Sequence, residues 1–426
     1  MAPGKPEYPD FLPDEVWKWK LMEERFDHVL KLHDYHEIRL PILQDRELVQ
    51  KGITALMEGR EAARVASGTI HICAPDGRAG QLSLRPEGTI SLLSHVARTY
   101  RPGDIHRYYY HGPVFRRGRD QAAQESFQLG VELLGSDSLI SENEIISLGM
   151  RLLRELGFKD ASLRLNSFGC ENCRRGFFAD VKAGLKKHQG EYCPACLAEL
   201  AANPFAETRC EDARCRHTVP NDLKILDHLC PKCQANFASI KKVQANLGHP
   251  YKVDPRLFKN FAYYNETVFD LVIGGGGDEL TVGGGGRYDY LSEKISKLRI
   301  PAVGFYLDLD LVFSAMDARE LFFTWGNDFS VYIFAQSPDM EMMLLQIAQE
   351  LHAEGIITVL SPEVGDSGKE QSQARAHKCD LMITIREENI REGKLLLYNL
   401  TRETQAYIPL NRLTESVRIA RITLGK

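Results

Sequence analysis

Residues 255–289 carry the strongest fold signal in the chain, and they begin Pro255-Arg256-Leu257-Phe258-Lys259-Asn260-Phe261-Ala262-Tyr263-Tyr264. They continue with Thr267-Val268-Phe269-Asp270-Leu271-Val272-Ile273, a mostly apolar run that ends at a glycine. This run predicts a buried strand, because β-branched and aromatic residues pack well in sheets. A hairpin through Gly274 to Gly277 is then expected to return the chain as Leu280-Thr281-Val282.

A second glycine run, Gly283 to Gly286, follows this strand and leads into Arg287-Tyr288-Asp289. Glycines allow the backbone to approach a neighbouring group closely. The three residues after the run supply a cation, an aromatic donor and an acceptor. The stretch therefore predicts the floor of a binding pocket, and a floppy glycine-rich turn is the alternative interpretation.

The length of 426 residues exceeds what one hydrophobic core supports and predicts two or three domains. The formal net charge of -5 argues against tight non-specific binding to nucleic acid. The apolar runs are far shorter than the roughly 20 residues that span a bilayer, and the first residues lack the apolar centre of a signal peptide. We therefore expect a cytoplasmic protein without membrane association.

Eight of the ten cysteines lie between residues 170 and 233, in closely spaced pairs. The pairs are Cys170 and Cys173, Cys193 and Cys196, Cys210 and Cys215, and Cys230 and Cys233. Four chelating pairs can close two tetrahedral four-thiolate sites, so we expect zinc in a structural role, as two ions. Disulfides and redox chemistry are less favoured, because no export signal is visible and redox pairs do not occur in fours. The spacing leaves open which pairs share an ion.

The N-terminal third of the chain contains three more motifs. Residues 11–34 predict an amphipathic helix, and residues 35–41 predict a strand that ends at a proline. Residues 82–89, Leu-Ser-Leu-Arg-Pro-Glu-Gly-Thr, predict a strand that leads into a helix with a capping hydroxyl residue. Residues 105–135 predict two antiparallel strands, and in the second one Gln128 and Glu132 point to the same face. Two buried acceptors on one face favour a polar ligand.

In this order the segments resemble the histidyl-tRNA synthetases, a family of class II aminoacyl-tRNA synthetases. The family carries Arg-Pro-Glu-Gly-Thr, a Thr-Val-Phe-Glu strand and a closing Gly-Gly-Arg-Tyr-Asp, which residues 85–89, 267–270 and 285–289 resemble. The resemblance implies an α+β fold, in which a class II synthetase antiparallel-sheet catalytic domain carries a Cys-rich zinc insertion and precedes a C-terminal α/β anticodon-binding-like domain. The implied domains are residues 1–168 for the first part of the core, 169–250 for the Cys-rich helical zinc insertion, 251–320 for the second part of the core and 328–426 for the C-terminal domain.

The resemblance also implies roles for individual residues. The implied substrate-binding residues are Glu87, Thr89, Gln128, Glu132, Tyr263, Tyr264 and Tyr288. The first three would hold the backbone of histidine, and Glu132, Tyr264 and Tyr288 would surround its imidazole. Arg116 has the place of an arginine that binds the ATP α-phosphate, and Lys259 replaces an arginine that holds the substrate carboxylate. For Glu87 the alternative is an ordinary helix-start carboxylate, which the helix dipole favours.

Two segments depart from the family pattern, and both would contact ATP in the family. The third class II motif reads Gly-Phe-x-x-Gly-Leu-Glu-Arg in the family, and here Asp308 and Leu311 replace the last glycine and the arginine that clamps the γ-phosphate. Losing such a charge-assisted contact costs roughly 1.5–3 kcal/mol, and an added carboxylate repels a polyanion. The loop that follows Arg116 is also shortened. We therefore do not expect ATP to bind in the ordinary mode.

Two functions stay open. The preferred one is a non-aminoacylating paralogue that binds histidine or a related amino acid and has a regulatory or sensor role, similar to the ATP phosphoribosyltransferase regulatory subunit, with that enzyme as catalytic partner. The alternative is a histidine–tRNA ligase, or a related ATP-dependent ligase, with ATP and magnesium as cofactors and Arg116 and Lys259 as catalytic residues. A homodimer is implied by the resemblance of residues 11–41 to the family's dimer motif. Binding of tRNA without catalysis would depend on residues 328–426, whose strand–helix–strand pattern predicts a parallel sheet.

Overall fold

The computed structural model describes residues 11–56, 68–73, 79–117, 123–204, 210, 212, 215–216, 218–220, 222–257, 264–275, 278–322, 329–361 and 367–424. The chain forms two compact units, Met1–Phe322 and Phe323–Lys426. None of the described helices combines the length and the apolar character that crossing a bilayer requires.

The first unit is centred on an eight-stranded sheet. Its strands are β1 (His36–Glu37), β5 (His106–Arg117), β6 (Ala123–Leu134), β7 (Ser162–Ser167), β8 (Tyr251–Val253), β9 (Asn265–Ile273), β10 (Leu280–Arg287) and β11 (Ala302–Asp308). Their order in the sheet is β1-β5-β6-β11-β10-β9-β7-β8. The central pairs are antiparallel, whereas β1 with β5 and β7 with β8 are parallel at the edges.

The predicted strand at 267–273 and its hairpin return are confirmed as β9 and β10. The returning strand is longer than expected, because it continues through the second glycine run to Arg287. A Cβ added to Gly285 would lie 2.0 Å from the carbonyl oxygen of Gly304, and one added to Gly286 would lie 2.6 Å from that of Thr267. The close approach that these glycines permit is therefore to the neighbouring strands, and the alternative of a floppy turn is wrong.

Side chains alternate along each strand, which gives the sheet one apolar and one polar face. On the apolar face Val131, Phe305 and Leu271 are buried. Helix α4 (Leu139–Glu155) covers this face and contacts β6, β9 and β11. Gly149 lets the helix approach the sheet, because a Cβ there would lie 2.9 Å from Leu271 Cδ1.

The helix predicted over residues 11–34 is confirmed as α1 (Pro13–Leu32), which packs along α4. The strand predicted over residues 35–41 is shorter than expected and is limited to β1. One further hydrogen bond, from Ile38 N to Tyr109 O at 2.8 Å, extends the pairing. Two residues later, the carbonyl oxygen of Leu40 accepts from the side chain of Arg85, with Nη1 at 2.9 Å. The arginine side chain takes the place of a backbone donor from β5 at this position.

A helical layer covers part of the polar face. It consists of α2 (Arg46–Leu56), α3 (Thr89–Val96), α8 (Leu291–Ser296) and the three-stranded sheet β2 (Leu43–Asp45), β4 (Ala79–Leu84) and β3 (His71–Cys73). Ile53, Ile90 and Leu291 from the three helices share one buried core. This packing fixes the start of α3 next to the polar face of the large sheet.

The segment between β7 and β8 is helical. It contains α5 (Glu171–Lys187), α6 (Pro194–Ala202) and α7 (Pro231–Asn246), with short 3-10 helices at Gln189–Glu191 and Ile225–His228. Each α-helix begins directly after a cysteine, namely Cys170, Cys193 or Cys230. Helix α7 contacts α4 and β9, which ties this segment to the large sheet.

The first unit ends with α9 (Leu309–Ala318), and the second unit is built on five further strands. They are β12 (Ser330–Ala335), β13 (Ile357–Leu360), β14 (Leu381–Ile385), β15 (Lys394–Asn399) and β16 (Thr404–Pro409), in the order β13-β12-β14-β15-β16. Its helices are α10 (Glu341–Ala353), α11 (Ser367–Ala376), α12 (Glu387–Arg391) and α13 (Leu413–Thr423).

The predicted parallel sheet is confirmed for β13, β12 and β14, and β15 and β16 extend it as antiparallel strands. A short turn joins β15 to β16, and a turn of that length permits only antiparallel neighbours. Asn399 Oδ1 stabilises the turn by accepting from Thr401 N at 3.1 Å and from Arg402 N at 2.9 Å.

Candidate functional site

The polar face of the large sheet brings together most of the residues that the sequence singled out. In the pairing of β6 with β11, Glu132 lies opposite Gly304, Gly130 opposite Tyr306, and Gln128 opposite Asp308. Opposite residues of antiparallel strands share a face. Gln128 and Glu132 therefore point the same way, as their alternation predicts.

Three glycines make room in this face for larger side chains. A Cβ added to Gly304 would lie 1.7 Å from Glu132 Oε2. Additions at Gly130 and Gly88 would lie 2.2 Å and 2.1 Å from ring atoms of Tyr110. The positions of the Glu132 carboxyl group and the Tyr110 ring thus depend on the absence of these three side chains.

Glu132 is a strongly perturbed acid on this face. It is buried, and its carboxyl group accepts from the hydroxyl groups of Tyr288, Thr89 and Tyr110, the last two at 3.0 Å and 3.5 Å. Burial raises the pKa of Glu132 to about 8, although these hydrogen bonds lower it. The group is therefore mostly protonated at neutral pH and can either donate a proton or accept one.

Glu87 lies at the start of α3. Its two carboxylate oxygens accept from Thr89 N at 2.7 Å and Ile90 N at 2.8 Å, so the helix-start interpretation is confirmed for this residue. Burial raises the pKa of Glu87, while the backbone donors and the charge of Arg116 lower it. An accepting carboxylate has further lone pairs, so this role does not exclude a ligand cation.

Arg116 lies at the open end of the site and is exposed. Its Nε donates to Pro86 O at 2.7 Å, and this hydrogen bond does not use the two terminal nitrogens of the guanidinium. Burial raises the pKa of Asp308, and the charge of Arg116 opposes this shift. Arg116 is therefore close enough to influence both Glu87 and Asp308.

Two carboxylates of the third motif make hydrogen bonds to the backbone of the protein. Asp308 caps α9 by accepting from Leu311 N at 3.1 Å. Asp310 accepts from Phe127 N at 2.8 Å. Burial raises the pKa of both carboxyl groups. Leu311 is 37% exposed, so the position of the family's arginine presents an apolar side chain to solvent.

The expectation that Arg287 and Asp289 form a pocket floor is wrong. Arg287 is 1% exposed, and its guanidinium donates to Glu142 at 2.8 Å and to Asp289 at 3.0 Å. Asp289 also accepts from Ala302 N at 2.9 Å and from the amide of Asn265 at 2.9 Å. Both charges are used within the protein, because a buried ion left unpaired would cost several kcal/mol.

Two of the three tyrosines predicted to bind the substrate are among the residues that the structure describes. Tyr288 and Tyr264 are buried, and their rings meet edge to face with centroids 6.5 Å apart. The Tyr288 hydroxyl donates to Glu132. Lys259 and Tyr263 lie outside the described residues. The structure thus gathers Thr89, Glu132, Tyr264 and Tyr288.

Tyr110 is a site residue that the sequence reasoning missed. Its ring fills the space left by Gly88 and Gly130, and its hydroxyl lies 3.3 Å from Thr89 Oγ1. It faces Gly130 across the β5–β6 pair. A bulky aromatic residue opposite a glycine in a predicted hairpin is the signal that could have found it.

The eight paired cysteines form two clusters, which answers the question of which pairs lie together. The first cluster is Cys170, Cys173, Cys230 and Cys233, and the second cluster is Cys193, Cys196, Cys210 and Cys215. The Sγ atoms of each cluster lie within 4.8 Å of one another.

Both clusters fit a tetrahedral thiolate site. Sulfurs bound to one zinc ion at about 2.3 Å are about 3.8 Å apart. The distance from Cys170 Sγ to Cys173 Sγ is 3.5 Å, and that from Cys193 Sγ to Cys210 Sγ is 3.7 Å. Backbone N–H groups also point at sulfur, with Cys230 N 3.1 Å from Cys173 Sγ. Each cluster can therefore bind a metal ion.

Comparison with known proteins places this architecture in a family. The family model described as histidyl-tRNA synthetase matches residues 7–312. A histidine–tRNA ligase of Halothermothrix orenii is 30% identical over 414 residues, which are 96% of this chain and 97% of that protein. One from Clostridium kluyveri is 33% identical over 310 residues, 71% of each chain.

Solved structures agree on the fold. The apo histidyl-tRNA synthetase of S. aureus has a TM-score of 0.80 at 23% identity, covering 98% of this chain and 100% of that one. An ATP phosphoribosyltransferase regulatory subunit/histidyl-tRNA synthetase from Bacillus halodurans C has a TM-score of 0.60 at 20% identity, covering 88% and 96%. The expected class II α+β fold is confirmed. The chain belongs to the histidyl-tRNA synthetase family.

Proposed function

We propose that this chain binds histidine, or a related amino acid, in the pocket around Glu132 and does not transfer it to tRNA. It acts as a regulatory or sensor protein, a role that the first half of the name of a structural neighbour, ATP phosphoribosyltransferase regulatory subunit/histidyl-tRNA synthetase, suggests. Glu87, Thr89 and Gln128 hold the amino-acid backbone, while Glu132, Tyr264 and Tyr288 surround the side chain.

The main support for the absence of aminoacylation is the sequence of the third class II motif. At the two positions where the family has a small glycine and a γ-phosphate-binding arginine, this chain has the helix-capping Asp308 and the exposed, uncharged Leu311. A triphosphate at this end of the site gains no cation from Leu311 and meets an added carboxylate. The lost charge-assisted contact alone is worth roughly 1.5–3 kcal/mol.

Glu132 supports an imidazole as the ligand side chain. With a pKa of about 8, its carboxyl group holds a proton at neutral pH. It can donate this proton to the unprotonated imidazole nitrogen or, after transfer, pair with the imidazolium. An apolar side chain in the same place would leave the buried carboxyl group without this partner, which costs affinity.

The second candidate is a histidine–tRNA ligase or a related ATP-dependent amino-acid ligase. The near-complete coverage of the ligases and the exposed guanidinium of Arg116 favour it. ATP and magnesium would then be cofactors, tRNA a substrate, and Arg116 with Lys259 would stabilise charge on the α-phosphate. The second unit, Phe323–Lys426, would bind the tRNA.

The proposal includes three features of assembly. Each cysteine cluster holds a structural zinc ion, supported by its fit to four thiolates. The chain forms a homodimer, supported by the family resemblance of α1 and β1. A regulatory role further requires a catalytic partner, for which ATP phosphoribosyltransferase is the candidate.

Two assays separate the candidates. We expect calorimetry to detect histidine binding, and we expect histidine-dependent exchange between ATP and pyrophosphate to be absent. Glu132→Gln serves as the control for binding in the proposed pocket, since it removes the carboxyl proton but keeps the shape. Robust exchange would establish the ligase instead, and the absence of histidine binding would remove histidine as the ligand under both candidates.

A further inference from the structure

The first cysteine cluster lies next to the segment that carries Tyr264. Cys170 ends the connection from β7 and begins α5, and Cys230 begins α7. The hydrogen bond from Cys230 N to Cys173 Sγ, at 3.1 Å, joins the starts of the two helices. A metal ion bound here would fix α5 and α7 relative to each other, because the four ligands come from both.

Two backbone hydrogen bonds connect this cluster to Glu266. Phe168 N donates to Glu266 O at 2.7 Å, and Glu266 N donates to Gly169 O at 3.1 Å. Gly169 has a φ of +59°. A Cβ on it would lie 2.7 Å from Cys173 Cβ. The residue before the first ligand therefore packs against the cluster on one side and pairs with Glu266 on the other.

Glu266 is held in a conformation that needs support. Its φ is +55°, in the left-handed region that costs a non-glycine residue about 1–2 kcal/mol. It lies where the register between β9 and β10 shifts, between Gly286 and Arg287. Asn236 of α7 donates from Nδ2 to its carboxylate at 3.3 Å. Helix α7 and the two residues just before Cys170 thus hold this residue.

Arg174 makes the connection to Tyr264 directly. It lies one turn into α5, where its N–H donates to Cys170 O at 3.1 Å. Its Nη1 donates to the carbonyl oxygen of Tyr264 at 2.9 Å. The Tyr264 ring in turn packs on Tyr288, whose hydroxyl donates to Glu132. A contact chain of four residues therefore runs from the first cluster to the pocket.

The second cluster provides a comparison, and two of its cysteines, Cys196 and Cys215, are buried in the same hydrophobic core as Tyr264 and Tyr288. It lies around α6 and the residues near 215, where Cys193 N is 3.3 Å from Cys215 Sγ. Nearby hydrogen bonds join parts of the same insertion, from Arg216 N to Glu191 O at 2.8 Å and from Tyr192 OH to Thr218 O at 2.8 Å.

We propose that a metal ion in the first cluster positions Tyr264 in the amino-acid pocket, through Glu266 and Arg174, so that ligand affinity depends more strongly on this ion than on the ion of the second cluster. The affinity part of this inference rests on the proposed function; the positioning part does not. Without the metal, the starts of α5 and α7 separate, the left-handed backbone at Glu266 relaxes, and Tyr264 loses its place beside Tyr288. Arg174 and Asn236 are positioning residues.

Cys233→Ser tests the inference, with Cys196→Ser in the second cluster as the matched control. Metal analysis is expected to show that each variant loses one zinc per chain. Hydrogen exchange of residues 264–275, measured without ligand, is expected to speed up at least tenfold in Cys233→Ser and to stay within twofold in Cys196→Ser. Calorimetry with histidine is expected to show affinity at least tenfold lower for the first variant and within twofold for the second.

Arg174→Ala and Asn236→Ala keep all eight cysteines and cover the case in which Cys233→Ser fails to fold. Both are expected to retain two zinc ions, to speed exchange over residues 264–275 and to weaken histidine binding several-fold. Exchange and affinity that stay unchanged in these variants overturn the inference, as does a wild-type protein that carries no metal in the first cluster. If the wild type binds no histidine, the proposed function fails, whereas the exchange measurements still decide whether the cluster positions Tyr264.

Discussion

Individual residues on the polar face of the large sheet show how burial changes the protonation of a carboxyl group. Glu132 has three hydroxyl partners, yet its pKa is raised to about 8, because desolvation outweighs the hydrogen bonds. The hydroxyl groups orient the carboxyl group, but their hydrogen bonds do not bring its pKa back to the ordinary value. In the proposed function, a ligand that shares the proton can therefore pair with this buried carboxyl group.

The raised pKa of Glu132 makes folding stability depend on pH. An ordinary carboxyl pKa of about 4.5 in the unfolded chain means that the folded state binds more protons between pH 4.5 and about 8. Stability is therefore lost as pH rises through this window, by a few kcal/mol at most, since one pKa unit is about 1.4 kcal/mol. Glu132→Gln, which cannot ionise, is expected to show a smaller fall in Tm from pH 5 to pH 9 than wild type. Equal pH profiles would contradict this.

Replacing Gly304 should disturb the proposed pocket directly at the Glu132 carboxyl group. A Cβ there would lie 1.7 Å from Glu132 Oε2, so Gly304→Ala must displace the carboxyl group. We expect a stability loss of about 1–3 kcal/mol in urea unfolding and histidine binding too weak for calorimetry. Gly275→Ala is the control, because nothing lies within 4 Å of a Cβ at that position. Normal binding by Gly304→Ala would show that Glu132 is not a ligand contact.

At the scale of helices and strands, Arg287 joins the end of β10 to the start of α4. Its guanidinium donates to Ser136 O at 3.0 Å and Ser138 O at 3.2 Å, in addition to Glu142 and Asp289. Arg287→Ala leaves two buried carboxylates without their cation and should cost about 3–5 kcal/mol in urea unfolding. Arg319→Ala removes an exposed ion pair with Asp160 and should cost less than about 1 kcal/mol. A loss at Arg287 no larger than at Arg319 would contradict this role.

Sequence patterns predict what depends on neighbours along the chain and miss what depends on neighbours in space. The alternation of Gln128 and Glu132 identifies their common face, because strand geometry is local. Arg287 follows a glycine run just as a ligand-binding cation would, and nothing local reveals that Glu142 meets it from another element. The grouping of the cysteine pairs was likewise open, since it depends on how α5, α6 and α7 pack. For Tyr110, the contact with Gly130 lies within a predicted hairpin, whereas the contact with Gly88 joins two separate elements and has no local signal.

At the scale of the whole molecule, the two compact units have separate cores. In the second unit Val331, Ile333, Leu381 and Ile383 are fully buried between helices on a five-stranded sheet. The pocket residues, in contrast, all lie in Met1–Phe322. The proposed histidine binding can therefore be tested separately from any binding of tRNA by the second unit.

This separation predicts that each unit folds without the other. A fragment of residues 323–426 is expected to unfold cooperatively in urea, because about 100 residues with their own core suffice for a stable domain. A fragment of residues 1–322 is expected to keep two zinc ions and to bind histidine within threefold of the full chain in calorimetry, since its pocket needs no residue beyond Phe322. Comparing Gly304→Ala in the full chain and in this fragment controls for the site. Loss of histidine binding in a folded fragment of residues 1–322 would show that the second unit contributes to the pocket.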